Sequence, residues 1–307
     1  MLWFAAAALC GQAKASTVDG QDLSPPEESI PERARGLDAL LQRDPNAALR
    51  SMERWAAESP REAEALFWLG YARLRTDQVP RAIQALRESE KLGSRPGLDK
   101  VLGVTYYAAG QHLLFRRRME RALQSTPSDP APYYFLGRYF DSVEQNYEEA
   151  AANFEQFLAE RPDHPHANHY LGFAYERLGR LDEARERYQR AGDLADRLEP
   201  GFAEPWIGLA KLDLLEGEPG SAAAPAEEAV RRDPASAEGH RTLAEVYGIL
   251  GKSEEAIREW QTVARLDPTD PGSHYRLYRA WLSAGEPEKA AAALADYELR
   301  KRVYGVR

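Results

Sequence analysis

Three glycines recur at a fixed interval, and this interval constrains the fold more than any other feature of the sequence. Gly217, Gly251 and Gly285 are 34 residues apart, and the Asp-Pro pairs that begin at Asp233 and Asp267 keep the same interval. Each glycine follows one amphipathic stretch and precedes another, at the position where a helix commonly ends in a left-handed residue. The interval therefore predicts a repeated helix–turn–helix unit.

The triplet Gly251-Lys252-Ser253 also matches the end of a phosphate-binding loop, but the rest of that motif is missing. Such a loop has another glycine five residues earlier, where this chain has Val246. The preceding segment has helical periodicity, whereas a phosphate-binding loop follows a buried strand. The acidic Glu254 would also repel a phosphate while favouring a helix N-terminus. We therefore interpret Gly251 as a helix terminator.

The packing positions of the repeated units agree in register. The unit that begins at Ala203 has Trp206, Leu209, Ala210, Asp213, Ala222, Ala226, Ala229 and Pro234, and the next unit has His240, Leu243, Ala244, Tyr247, Ala256, Trp260, Val263 and Pro268. This order of large residues, small residues and a closing proline resembles the tetratricopeptide repeat. The expected core includes the tryptophans at these packing positions, namely Trp55, Trp206, Trp260 and Trp281.

The resemblance covers nearly the whole chain after its first residues. Upstream, the small residue of the first helix falls on Gly36, Gly70, Gly103, Gly137 and Gly172. One unit has an extra residue before Ala150, and another reaches its closing proline four residues late, at Pro200, which predicts an additional helical turn. We predict that residues 29–307 form an all-α, right-handed superhelical solenoid of about eight tetratricopeptide repeats.

The N-terminus differs from the rest of the chain. Residues 1–15 contain a short apolar run followed by Ala13-Lys14-Ala15, which predicts a secretory signal peptide cleaved before Ser16. Cys10 offers a bacterial lipoprotein as the next alternative, although Leu9 precedes it where a small residue is preferred. Residues 16–28 are polar and proline-containing, which is typical of a disordered linker. We expect an exported protein, periplasmic or secreted.

Composition excludes several classes of function. The formal net charge of −9 argues against a nucleic-acid partner. The apolar run from Leu2 to Leu9 is much shorter than the roughly 20 residues of a membrane span. Cys10 is the single cysteine, so the chain after Ala15 has no disulfide, thiolate metal site or cysteine nucleophile. The sequence does not indicate an oligomeric state.

No catalytic motif accompanies the repeats, so we expect no enzymatic activity and no cofactor. The strongest candidate for a metal site is the group His164, His166 and His169. Zinc requires three or four convergent ligands, and no carboxylate has an obvious ligand spacing here. The alternative is a helix start with surface imidazoles. Paired acids such as Glu254-Glu255 recur in register, which is typical of helix-dipole partners and not of a catalytic pair.

The resemblance implies a concave groove lined by the first helix of each repeat. It assigns to the groove the second, fifth, ninth, twelfth and thirteenth places of the repeat. The residues predicted to bind a partner there are Phe67, Tyr71, Lys100, Tyr107, Tyr134, Arg138, His166, His169, Phe173, Arg177, Lys211, Arg241, Tyr275 and Arg279. Aromatic residues and arginine are enriched at binding hot spots, although some of these aromatics could instead pack between helices.

Two functions agree with this sequence. The first is a non-catalytic scaffold of the bacterial cell envelope that binds a protein or peptide segment in the groove. Arg138 and Arg177 favour an acidic segment or a carboxylate as the bound group. The alternative is a targeting or regulatory subunit of an envelope enzyme complex whose chemistry lies in another chain.

Overall fold

The computed structural model describes residues 31–41, 44–93 and 95–304. The predicted signal peptide of residues 1–15, Cys10 and the predicted linker of residues 16–28 lie outside these ranges and stay predictions.

The described ranges contain 16 α-helices, which confirms the predicted all-α class. The helices are α1 (Pro31–Leu41), α2 (Pro45–Glu58), α3 (Ala63–Arg75), α4 (Val79–Leu92), α5 (Leu98–Ala108), α6 (His112–Ser125), α7 (Ala131–Tyr139), α8 (Tyr147–Glu160), α9 (Pro165–Arg177), α10 (Leu181–Leu198), α11 (Glu204–Leu215), α12 (Pro219–Arg232), α13 (Ala237–Ile249), α14 (Ser253–Leu266), α15 (Pro271–Ser283) and α16 (Pro287–Tyr304). They pack pairwise as consecutive helix–turn–helix repeats, as the 34-residue interval predicts.

The chain divides into two compact units, the first ending at Leu136 and the second beginning at Gly137. In the first unit α1 packs on α2, α3 on α4 and α5 on α6. In the second unit α9 packs on α10, α11 on α12, α13 on α14 and α15 on α16. Within each unit a second helix also contacts the first helix of the following pair, as α10 contacts α11. Each repeat is therefore stabilised by its neighbours, as in other solenoids.

Small residues on the first helices allow the close packing within a pair. A Cβ built on Gly70 would lie 2.5 Å from Leu86 Cγ of α4, and one on Gly172 would lie 2.9 Å from Tyr188 Cδ1 of α10. Both distances are shorter than van der Waals contact, so these helices could not approach as they do with any larger residue. The tryptophans that were predicted to lie in the core are enclosed. Trp55 and Trp260 are buried, and Trp206 and Trp281 are partly buried against core clusters.

The turns between the paired helices explain the spacing of the glycines. Gly217, Gly251 and Gly285 have φ angles of +80°, +74° and +74°, in the left-handed region that glycine adopts at low cost. The Asp-Pro pairs close each repeat, because the carboxylates of Asp233 and Asp267 accept hydrogen bonds from the backbone N–H two residues later, at 3.0 Å and 3.1 Å.

Two irregularities of the repeat have structural equivalents. The extra residue before Ala150 is accommodated by a π-helical turn, Phe140–Glu144, which directly follows α7. The late closing proline corresponds to α10, which has 18 residues where most second helices have 14. Both departures from the 34-residue interval therefore change one helix end locally and leave the pairing intact. Among the residues that the structure describes, no helix combines the length and the apolar character that crossing a membrane requires.

Candidate partner-binding surface

In the first unit, several of the predicted groove residues are enclosed by their own neighbours. Phe67 is buried because the guanidinium of Arg95 lies 4.2 Å from its ring centroid. Tyr107 is buried with its ring 5.3 Å from that of Phe115, and Tyr134 is buried as well. This corrects the expectation that these three aromatics face solvent. Tyr71 keeps a partly exposed ring, 5.9 Å from Trp68.

Three of the predicted groove cations are neutralised within the chain. Each forms an ion pair with a carboxylate at the start of the next repeat, and this side-chain pairing was not foreseen from the sequence. The pairs are Lys100 with Asp129 (2.6 Å), Lys211 with Glu238, and Arg241 with Asp270 (3.3 Å). Each pair links neighbouring repeats, and its carboxylate offsets the positive charge that a partner would meet there.

Arg177, by contrast, lies at an exposed end of α9 without an ion pair in the described part of the chain. Its guanidinium lies 5.1 Å from the ring centroid of Tyr147, and that ring meets Phe173 edge-on at 6.3 Å. The ring of Tyr147 thus holds the guanidinium by a cation–π contact, and the charge of Arg177 also interacts with the buried carboxyl of Asp141. Arg177 is therefore an exposed groove cation that can bind an external anion.

A second arginine of the predicted groove, Arg138, also lies on an aromatic stack. The guanidinium of Arg138 lies 3.8 Å from the ring centroid of Tyr170, and Tyr170 stacks on Phe154 at 5.8 Å with an interplanar angle of 18°. Burial raises the pKa of Tyr170, which stays protonated. This stack connects three helices, α7, α8 and α9, through residues of the second unit.

The π-helical turn contains an acidic residue close to both arginines, which the sequence analysis did not identify. Asp141 lies in this turn, and burial raises the pKa of its carboxyl to about 6, although the positive charges of Arg138 and Arg177 oppose that rise. The signal in the sequence was the extra residue of this repeat, because π-helical insertions are frequent at functional sites.

The predicted histidines His166 and His169 are brought together by α9 but are enclosed by aromatic rings. His166 Nε2 lies 2.7 Å from Glu199 Oε2, and its ring lies 3.9 Å from that of Phe202. The His169 ring lies 5.5 Å from Tyr188 and 5.6 Å from Phe202. Burial, together with nearby positive charges, lowers the pKa of His169 to about 3, so this imidazole is neutral at physiological pH.

The third histidine has a local structural role. His164 Nδ1 accepts a hydrogen bond of 3.1 Å from the backbone N–H of Ala167, which caps the N-terminus of α9. Across residues 31–41, 44–93 and 95–304, no three His, Cys, Asp or Glu side chains are arranged to hold a metal ion. The histidine group is thus a helix start whose rings pack against neighbours.

The last repeat presents exposed groove residues. Tyr275 is 41% exposed, with its ring 5.9 Å from Tyr278 and 5.3 Å from Tyr297. Arg279 is exposed one turn further along α15. These two residues match the predicted orientation toward solvent.

Two exposed aliphatic side chains, on the first helices of their repeats, are missing from the predicted groove. Leu215 is 65% exposed and Ile249 is 62% exposed, at the last positions of α11 and α13. Both occupy the thirteenth place of the repeat, which is also the place of Arg177. The signal in the sequence was the register, because the thirteenth place of these repeats is aliphatic where that of the α9 repeat is Arg177.

Comparison with protein families identifies the repeat. A tetratricopeptide repeat model matches residues 144–196, and a second tetratricopeptide repeat model matches residues 33–97, 207–271 and 241–302. The matched segments together cover more than half of the chain.

One curated relative has significant sequence similarity. The cytochrome c-type biogenesis protein CycH of Bradyrhizobium diazoefficiens is 30% identical over 148 residues, which are 48% of this chain and 37% of that protein. The chain thus matches little more than a third of the length of this relative.

Solved structures share the fold at low sequence identity. A chain of the APC/C hetero-tetramer Cut9-Hcn1 aligns with a TM-score of 0.64 and 18% identity, over 81% of this chain and 53% of that chain. PilW, a type IV pilus biogenesis factor, aligns with a TM-score of 0.59 and 18% identity, over 66% of this chain and 92% of that chain.

Proposed function

The chain belongs to the tetratricopeptide repeat family, and on this premise we propose that it is a non-catalytic scaffold that holds a polypeptide segment of a partner on the first helices of its repeats. The observation that carries the proposal is the exposed Arg177, whose guanidinium lies against Tyr147 beside Phe173 and forms no ion pair among the described residues. Arginine and aromatic side chains of this kind are enriched at binding hot spots.

We propose that the bound segment carries an acidic side chain or a carboxylate opposite Arg177. A guanidinium can donate two parallel hydrogen bonds to such a group, which fixes its orientation as well as its charge. In the second unit the side chains of the predicted groove that are at least partly exposed extend this contact, namely Arg138, His166, His169, Phe173, Lys211, Arg241, Tyr275 and Arg279. In the first unit, considered by itself, Tyr71 and Lys100 are the partly exposed members of the predicted groove.

The buried residues Phe67, Tyr107 and Tyr134 belong to the packing of the first unit and do not contact a partner in our proposal. Their rings lie under neighbouring side chains, as Phe67 lies under Arg95. Replacing them would disturb folding before it disturbed binding, so they are unsuitable for testing the groove.

We propose the cell envelope as the site of action and the assembly of other proteins as the process. Two observations support this proposal. The Ala13-Lys14-Ala15 pattern before Ser16 is typical of export. The curated relative is named for cytochrome c-type biogenesis, so a protein that is being assembled is a reasonable partner class.

The test begins with capture of partners from an envelope extract by the chain that starts at Ser16, followed by mass spectrometry. The captured partner is then titrated against Phe173→Ala and Arg177→Ala. We expect each variant to weaken binding about tenfold or more, because truncation of a hot-spot anchor typically costs about 2 kcal/mol. Affinity should also fall with rising salt, since an exposed charge pair is screened.

Arg187→Ala is the matched control, because it removes the same charge from α10, a second helix. It should bind the partner as the unchanged chain does, and circular dichroism should show the same helical content in all variants. Equal loss in the control, or full affinity in folded Phe173→Ala and Arg177→Ala, would move the binding surface away from the first helices.

An enzyme assay on the captured material tests the alternative function. A hydrolytic or synthetic activity that co-elutes with the chain, and that changes when the chain is removed, would favour a regulatory or targeting subunit. Capture of a partner without such activity favours the scaffold.

A further inference from the structure

Three helices of the second unit end in a row. Arg177, Leu215 and Ile249 are the last residues of α9, α11 and α13, and all three occupy the thirteenth place of their repeats. Helix α9 contacts α11, and α11 contacts α13. Their ends are therefore neighbours. We refer to Arg177, Leu215, Gly248 and Ile249 as the helix-end row.

The aliphatic members of the helix-end row are exposed, although burial of such side chains stabilises a folded protein. Leu215 and Ile249 are 65% and 62% exposed, whereas Leu214, one residue earlier, packs against a core cluster. Full burial of one such side chain stabilises a protein by about 1.5–3 kcal/mol. Exposed aliphatic side chains at equivalent ends of two contacting helices are the arrangement expected of an interaction surface.

Gly248 provides an independent observation. It lies inside α13, where glycine costs about 1 kcal/mol relative to alanine. A Cβ on Gly248 would meet no atom within 4 Å, whereas one on Gly208 of α11 would lie 2.6 Å from Tyr188 Cζ. Packing within the chain thus explains Gly208 but not Gly248. The bare backbone beside Ile249 leaves room for the close approach of another chain.

The charges around the row favour an acidic occupant. Arg177 has no ion pair among the residues that the structure describes. Two acids beside the row are already engaged, because Glu216 pairs with Arg185 at 2.7 Å and Glu245 pairs with Arg276 at 3.4 Å. The buried carboxyl of Asp141 interacts with the charges of both Arg138 and Arg177, so two guanidinium groups face one acid. The row therefore has an excess of positive charge at one end, followed by two apolar side chains.

We propose that the helix-end row binds an extended polypeptide segment with one acidic side chain and two aliphatic side chains, spaced about three residues apart. Packed helices lie about 8–10 Å apart. A segment in the extended polyproline II conformation has three residues per turn and rises about 3.1 Å per residue, so side chains three residues apart lie on the same side and reach from one helix end to the next. The acid pairs with Arg177, and the aliphatic side chains contact Leu215 and Ile249. This inference rests on the proposed scaffold function and specifies the sequence chemistry of its partner.

Synthetic peptides test the spacing directly. The probes are fluorescein-labelled peptides with Glu-Ser-Ser-Leu-Ser-Ser-Leu flanked by Gly-Ser, and the same residues in reverse order, because the row permits either chain direction. The controls replace Glu with Lys or both Leu with Ser. Fluorescence anisotropy with the chain from Ser16 should show that the peptide binds in at least one of the two residue orders. Both control peptides should bind about tenfold more weakly, which corresponds to about 1.4 kcal/mol of binding free energy. If neither peptide binds, or if the controls bind equally well, the inference is overturned.

The variant Gly248→Glu tests the row on the protein side. Glutamate is a better helix former than glycine, so the fold should be at least as stable, while its bulk and charge should oppose the acidic segment. The matched control is Gly220→Glu in α12, a glycine with equally open surroundings on a second helix. We expect peptide binding to fall about tenfold in Gly248→Glu and to be unchanged in Gly220→Glu.

The variants Gly248→Glu and Phe173→Ala distinguish this inference from the scaffold function. If a captured partner still binds Gly248→Glu but no longer binds Phe173→Ala, the proposed binding at the helix-end row is wrong and the scaffold function is retained. If neither variant affects that partner, both proposals are wrong.

Discussion

The ring of Phe154 lies directly against the backbone of Gly137. A Cβ built on Gly137 would be 2.8 Å from Phe154 Cε1 and 2.9 Å from Phe154 Cδ1, so any larger residue would have to displace the ring. Gly137 belongs to α7 and Phe154 to α8, and this contact sets how closely the two helices of the fourth repeat approach.

We expect Gly137→Leu to destabilise the protein by about 3 kcal/mol, because overpacking at a closed contact forces side chains and backbone to move. Chemical denaturation monitored by circular dichroism measures the change. Since each repeat contacts only its neighbours, the loss should be local and could divide unfolding into two phases.

Gly220→Leu is the control for that experiment, because a Cβ at Gly220 meets no atom within 4 Å. It should unfold at or above the denaturant concentration of the unchanged chain. An unchanged single transition in Gly137→Leu would show that the assigned packing of Gly137 is wrong.

Substitution by alanine should change the free energy of unfolding in opposite directions at Gly248 and Gly251. Both have open surroundings, but Gly251 has a φ angle of +74° whereas Gly248 lies within the helix. Gly251→Ala should destabilise by about 1 kcal/mol, because a Cβ is unfavourable in the left-handed region. Gly248→Ala should stabilise by about 0.5–1 kcal/mol through higher helix propensity. Thermal denaturation of the two variants measures both signs, and equal signs would contradict the assignment of the helix end.

Stability should decrease on acidification partly through His169. Burial lowers its pKa to about 3 in the folded protein, below the ordinary value of 6.5. The unfolded chain therefore binds the proton first as pH falls through about 6.5, and the stabilisation present at higher pH is lost progressively toward the folded pKa. At pH 5 we expect a loss of about 1–2 kcal/mol from this group relative to pH 8.

His169→Phe should reduce that pH dependence, because phenylalanine packs among the same rings without a titrating nitrogen. Urea unfolding of both proteins at pH 5 and pH 8 provides the comparison. An unchanged difference between the two pH values would show that His169 is not the group responsible.

The N-terminus of the exported protein should be Ser16. The Ala13-Lys14-Ala15 pattern predicts cleavage after Ala15. N-terminal sequencing of the protein recovered from the envelope fraction of a bacterial host checks this prediction. Intact Met1 on a protein confined to the cytoplasm would contradict it, and a lipid-modified Cys10 would indicate the lipoprotein alternative.

The sequence alone determined the helices, their pairing and the ends of each repeat. Gly217, Gly251 and Gly285 marked the left-handed turns, and Gly172 marked a close helix contact, because these roles depend on backbone conformation and on the nearest helix along the chain. Even the irregular repeat was visible as one extra residue before Ala150. In a solenoid each repeat contacts only its neighbours, so a local pattern carries most of the information about the fold.

The exposure of the binding surface was decided only in the tertiary structure. Phe67 is covered by Arg95, which is 28 residues later, and Lys211 is neutralised by Glu238, which is 27 residues later. A place in the repeat determines the side of the helix on which a residue lies, but not the length or charge of the side chain that the next repeat brings against it. For this reason the register placed Arg177, Leu215 and Ile249 at equivalent helix ends, while only the packing of side chains from neighbouring repeats left these three available to a partner.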